Sequence, residues 1–149
     1  MKWAAKDATA LEKEKEYIDT AVIPLIPAGT GPDFLQTVQL GEFALLLSEE
    51  LERRLRGRVM LSVPFTYLHK EEGVEERLLH WKEDAERAVR HVFFLTSDPR
   101  WKTAAELQDR LIWIPSMPLH TLDHAVAEQL LDSHLDQIMN ILLQFWNCK

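Results

Sequence analysis

Four short apolar runs, each closed by a proline or a small-residue turn and each followed by a helical pattern, constrain this chain more than any other feature. They are Ala21-Val22-Ile23 with Leu25-Ile26, Val59-Met60-Leu61 with Val63, Val92-Phe93-Phe94-Leu95, and Leu111-Ile112-Trp113-Ile114. The third is continuous rather than alternating, as expected of a strand covered on both faces. Apolar strands that alternate with helices predict a mostly parallel sheet between helical layers. The expected fold is a small three-layer α/β sandwich with a four-stranded sheet of flavodoxin-like order 2-1-3-4 and a long C-terminal helix, residues 1–149 forming a single domain. Pro24 cannot donate to a ladder, which argues for an edge position, a bulge, or a strand ending earlier than Ile26, and a sheet with the first strand at an edge is the alternative order.

The helical segments follow from spacing. Over residues 36–56, Leu40, Phe43, Leu47, Leu51 and Leu55 recur at three- and four-residue steps. The far side is polar, and Glu49 with Arg53, Glu50 with Arg54 and Glu52 with Arg56 have the favourable order at four-residue spacing. Gly57 supplies the stop. Over residues 74–90, Val74, Leu78, Trp81, Ala85 and Ala88 share one face, which makes Trp81 core. A short helix over residues 7–16 would be capped by Asp7 or Thr9. Asp98 and Pro99 mark the entrance of another, running to Leu107. The last and longest occupies residues 122–146, with Thr121 as its cap.

Composition narrows the class. The 149 residues carry 17 Lys and Arg against 24 Asp and Glu, a formal charge of -7, with the basic residues interleaved among acids. Neither nucleic acid nor an anionic membrane is expected as the main partner. The longest apolar runs fall far short of the roughly 20 residues needed to cross a bilayer. The amino-terminal residues have no continuous apolar segment of signal-peptide type, so a cytoplasmic location is expected. The single cysteine, Cys148, rules out an internal disulfide and a thiolate zinc cluster.

The head of the chain, MKW and then EYIDTAVIPLIP, together with GEF at Gly41, LERRLRGRVML from Leu51 and PFTYL from Pro64, resembles the YpiF-like family of small uncharacterised bacterial proteins, a domain of unknown function. The resemblance covers nearly the whole length and is most specific in the amino-terminal half. It implies a soluble bacterial protein and supplies no catalytic residues. It also implies a respiratory context, because related genes lie near those of a menaquinol–cytochrome c reductase.

If the sheet is parallel, the loops leaving its strands gather at one rim, where ligands of α/β domains bind. Gly29, Thr30 and Gly31 could expose backbone amides to an anion, since glycines reach positive φ. The turn lacks the Lys-Ser/Thr of a P-loop and the third glycine of a dinucleotide fingerprint, and a plain turn is the simpler account. Thr66, Tyr67 and His69 follow the second strand; Thr96, Ser97, Asp98 and Arg100 follow the third, with Arg100 placed to grip an anionic group and Asp98 explained by capping. His120 follows the fourth. His120 and His124 have the step of a metal pair, but no third ligand is fixed by spacing, so neither a metal nor a cofactor is expected.

The C-terminal helix carries an excess of apolar surface. Ile138, Met139, Ile141, Leu142, Leu143, Phe145 and Trp146 sweep an arc of about 200°, where one core-facing stripe needs about 100°. Ile138, Leu142, Phe145 and Trp146 are therefore candidates for an interface with a protein partner or a second copy; the alternative is a cover formed by the amino-terminal segment with Trp3. The expected function is a non-enzymatic accessory or protein-interaction domain. The alternative is a binding protein or enzyme for a small anionic metabolite at the rim of Gly29, Thr30, Gly31, His69, Asp98, Arg100 and His120.

Overall fold

β1 (Thr20–Ala28) runs through the middle of the sheet. In this computed structural model, which describes residues 1–147, every strand pairing is parallel. The order is β2 (Val59–Leu61), β1, β4 (His91–Thr96), β5 (Leu111–Trp113), and β3 (Phe65–Leu68) pairs with β1 beyond the end of β2. With β2 and β3 counted as the second strand of the sequence pattern, this is the expected 2-1-3-4 order. The sheet has five strands rather than four because that second strand breaks at residues 62–64.

The break is a change of register. Val22 pairs with Leu61 and Leu25 with Phe65, so three steps along β1 match four along its neighbour, and one extra residue bulges out. This is what admits proline to a central strand. The Asp19 carbonyl accepts from the His91 N–H at 2.9 Å and the Val22 carbonyl from the Ser62 N–H at 3.0 Å. Odd residues of β1 therefore address β4, and even ones address β2 and β3. Pro24 lacks its N–H on the side where the partner strand is interrupted, and Pro27 lacks its own beyond the last paired residue of β4. Neither removes a ladder bond, which overturns the edge alternative.

Two cores sandwich the sheet. On one face α2 (Phe34–Arg54) and α4 (His124–Trp146) bury Phe43, Leu47, Leu51, Leu135, Ile138 and Leu142 against Val22, Phe93 and Leu95. α2 lies so close to β1 that a Cβ on Gly41 would stand 2.8 Å from Ile26 Cγ2. On the other face α3 (Val74–Glu86) packs Val74 and Leu78 on Ile23, Leu25, Phe65 and Phe94, with Trp101 and Leu107 beside them. Trp81 is half-buried, its ring edge-on to Phe65 at 5.1 Å.

Several boundaries differ from expectation. α1 (Ala5–Glu14) starts before Asp7, whose carboxylate accepts the Lys2 N–H at 2.8 Å instead of capping the helix. The helix expected up to Leu107 is two 3-10 turns, Pro99–Thr103 and Ala105–Leu107. Thr121 caps nothing in α4: its hydroxyl donates to the Pro118 carbonyl within a 3-10 turn, Leu119–Thr121. Of the three expected Glu–Arg pairs only Glu52 with Arg56 makes contact, at 3.4 Å. Glu52 is fully buried, its Oε1 2.9 Å from the Met1 ammonium, while Arg54 reaches across to Asp132 and Asp136 of α4.

The β2–β3 edge is covered rather than open. Met1 lies along β2, its ammonium on the Val59 carbonyl and its own carbonyl accepting from the Leu61 N–H. On β3 the Arg77 guanidinium donates to the Thr66 carbonyl and Glu71 accepts from the Leu68 N–H, which blunts the edge against another strand. Among the described residues no helix is long and apolar enough to cross a membrane.

Candidate functional site

Parallel strands send the loops after Ala28, Leu68, Thr96 and Trp113 off one edge. The structure brings Tyr67, His69, Asp98 and Arg100 together there, and adds Trp101. Asp98 is 2% exposed at the end of central β4. Its Oδ2 accepts from the Tyr67 hydroxyl at 2.7 Å and its Oδ1 from the Arg100 N–H at 3.0 Å. The Trp101 Nε1–H donates to the Tyr67 oxygen at 2.8 Å. Burial first, then the Asp98 charge, pushes the Tyr67 hydroxyl above its ordinary range, so it serves as a fixed donor.

Arg100 does not reach for an external anion. Its guanidinium donates to the carbonyls of His69 and Glu71 and so ties down the loop after β3. The His69 ring, 40% exposed, has Nδ1 3.8 Å from Asp98 Oδ2, too far for a hydrogen bond. Ser97 is buried beside them, its hydroxyl without a partner among the described residues.

Gly29, Thr30, Gly31 and His120 stand apart from this network. Gly29 takes φ 148°, but Gly31 has no positive φ, so the paired-glycine nest is not formed. Thr30, Gly31 and His120 are exposed. His124, the other half of the metal pair, contacts Glu128 at 3.0 Å within α4, while His120 lies outside the helix. A hollow of about 610 Å³ lies elsewhere, between α2 and the start of α4, lined by Leu46, Leu131 and Leu135 and by Arg53, Arg54 and Asp132.

The C-terminal helix packs most of its apolar arc within the chain. Ile138 and Leu142 are at 0% exposure in the protein's own core and offer no surface to a partner. Phe145 is half-buried with its ring edge-on to Phe93 at 5.0 Å, and half-buried Trp146 lies beneath the Arg58 guanidinium, 3.7 Å from the ring centre. Leu143 stays exposed. Trp3 does not cover this helix; it borders a cavity with Met60, Val63 and Trp81 on the other face.

At the opposite edge lies a set of residues that sequence reasoning passed over. Asp19 precedes β1, Arg58 precedes β2, Arg90 precedes β4 and Arg110 precedes β5. A charge immediately ahead of each apolar run was the available signal, and a parallel sheet brings all four to one edge.

A family model described as "Protein of unknown function (DUF2487)" matches residues 9–146. The chain belongs to this family. It is also 40% identical over 147 residues to a protein of Bacillus subtilis (strain 168) described as "Uncharacterized protein YpiF", with 99% of each chain covered. No solved structure matches. For this DUF2487 member the parallel α/β architecture is therefore read from its own coordinates, and its site from the contacts above.

Proposed function

We propose that this protein is a non-enzymatic accessory domain that works by contact with another protein, a second copy of the chain being the first partner to test. The observation that carries this reading is the commitment of the rim's polar groups to one another. Asp98 is buried and engaged by Tyr67 and a backbone amide, and Arg100 spends both terminal nitrogens on two carbonyls, so neither is turned toward a substrate. Apolar groups are exposed instead: Phe34, Leu35 and Val38 in the first two turns of α2, and Leu68 at the end of β3. Single exposed apolar residues are ordinary, whereas three within two turns favour a contact face. The respiratory setting implied by the family resemblance enters only as the place to look first for a partner other than the chain itself.

Sedimentation velocity over micromolar concentrations tests the reading. The wild-type chain is expected to dimerise, and Leu35→Glu to yield a folded monomer because a charge is costly to desolvate in an interface. Wild-type monomer at every concentration would remove self-association. The rival, a small anionic metabolite held at the rim, is favoured only by the approach of His69 to Asp98. It requires Arg100→Gln to abolish anion binding.

A further inference from the structure

We propose that the amino-terminal edge of the sheet carries an oxyanion site, built by Arg58, Arg90 and Arg110 around His91, for the phosphate or carboxylate group of a small soluble molecule. The reading is independent of the protein-contact function. In a chain of formal charge -7, three guanidinium groups gather here around one carboxylate that faces them, Asp19. Asp19 is already used: its two oxygens lie 3.1 and 3.2 Å from Arg58 Nε and a terminal nitrogen. Asp109 is 4.0 Å from Arg110 and turned largely to solvent.

Arg110 is the centre of the site. Its side chain is only 26% exposed, and its guanidinium carbon lies 4.4 Å from the Phe145 ring centre and 5.4 Å from that of Phe93, two rings set at 78° to each other. Packing against two aromatic rings restrains a guanidinium, while its N–H groups remain able to bond a planar or tetrahedral oxyanion. Among the described residues the hydrogen-bond contact of those groups is the His91 Nδ1 at 3.5 Å. Arg58 is oriented in the same way, between the Asp19 fork and the face of Trp146, whose Nε1–H is anchored on the Thr20 hydroxyl at 2.7 Å. Burial first, then Arg110, holds the His91 imidazole below its ordinary pKa; Arg90 and Arg58 act with them and Asp19 against. An arriving anion offsets the surrounding positive charge and permits that ring to protonate.

A purely structural role competes with this proposal. Cations near the last turn of α4 complement its free carbonyls, which accounts for Arg58 and Arg110 but leaves Arg90 and the other N–H groups of Arg110 without a purpose. Imidazole NMR titration of the full chain, with inorganic phosphate against chloride at matched ionic strength, separates the two. Phosphate is expected to raise the His91 pKa by about half a unit or more, saturably, with half-effect on the order of 1 mM. Arg110→Lys keeps the charge near the helix end and is expected to stay folded while losing most of the response. Arg100→Gln, at the other edge, is expected to retain it, which separates this site from the rim. Superimposed curves in phosphate and chloride would overturn the proposal, as would an unchanged response in Arg110→Lys. Binding to phosphatidylglycerol vesicles without a response to inorganic phosphate would also overturn it, by assigning the positive edge to a membrane surface.

Discussion

Tyr67 and Asp98 lie 31 residues apart and meet through one hydrogen bond that neither could show in sequence. The capping half of Asp98's role was legible because its partner, the Arg100 N–H, is two residues away. The Tyr67 half was not, since it depends on β3 and β4 both flanking β1 and on the side chain pointing inward. Tyr67→Phe removes the donor to a buried carboxylate and the acceptor of the Trp101 N–H together. It should cost about 1–3 kcal/mol, the usual penalty for stranding buried polar groups. A urea midpoint equal to wild type would mean that water replaces the hydroxyl without loss. Gly41 poses the opposite problem: Gly41→Ala forces a methyl to 2.8 Å from Ile26 Cγ2, and overpacking of that kind costs about 1–3 kcal/mol. The sequence could show a glycine in the helix but not what lay against it.

Elements were easier to read than their ends. β4 is buried along its whole length, as its unbroken apolar run foretold, and its residues alternate between the two cores: Phe93 faces α2 and α4, Phe94 faces α3. Either residue changed to Ala should lose about 3–5 kcal/mol in equilibrium unfolding. A loss confined to one of them would mean that the opposite core contributes little. The strand order was legible because proline and glycine punctuate each run and parallel crossovers leave few alternatives. The split of the second strand was not, because a bulge depends on how two strands slip past each other. The apolar arc of α4 was visible, but not the fate of its outer part. Stacking under Arg58 and Arg110 satisfies Phe145 and Trp146 inside the chain, and a helical wheel cannot show cations arriving from strand entrances 88 and 35 residues upstream of those rings.

For the whole molecule, the charged amino-terminal edge makes stability depend on pH in two steps. The His91 pKa is lower in the folded chain than its ordinary 6.5, so as pH falls below that value the unfolded chain takes the proton first, and stability declines until the folded pKa is reached. For Asp19, burial alone would raise the pKa, but the Arg58 and Thr20 hydrogen bonds and nearby positive charge outweigh it. The folded value thus lies below 3.8; Asp19's contribution is present above that pH and is lost as pH drops through the folded pKa. Thermal melts in chloride buffers should show a shoulder near pH 6 that His91→Gln abolishes, followed by a steeper acid limb that it leaves in place. A wild-type profile flat from pH 7 to 5 would contradict this. The extra residue at positions 62–64 bears on how such a chain can drift over generations. Losing one residue there would leave three steps against three and keep Phe65 and Tyr67 in their core, but it would draw an unbroken strand past Pro24, whose missing N–H would leave a carbonyl of that strand without a donor. Ser62 and Val63 are free to change their chemistry, but the length of this stretch is tied to Pro24, so a relative one residue shorter here should carry a residue other than proline at that position.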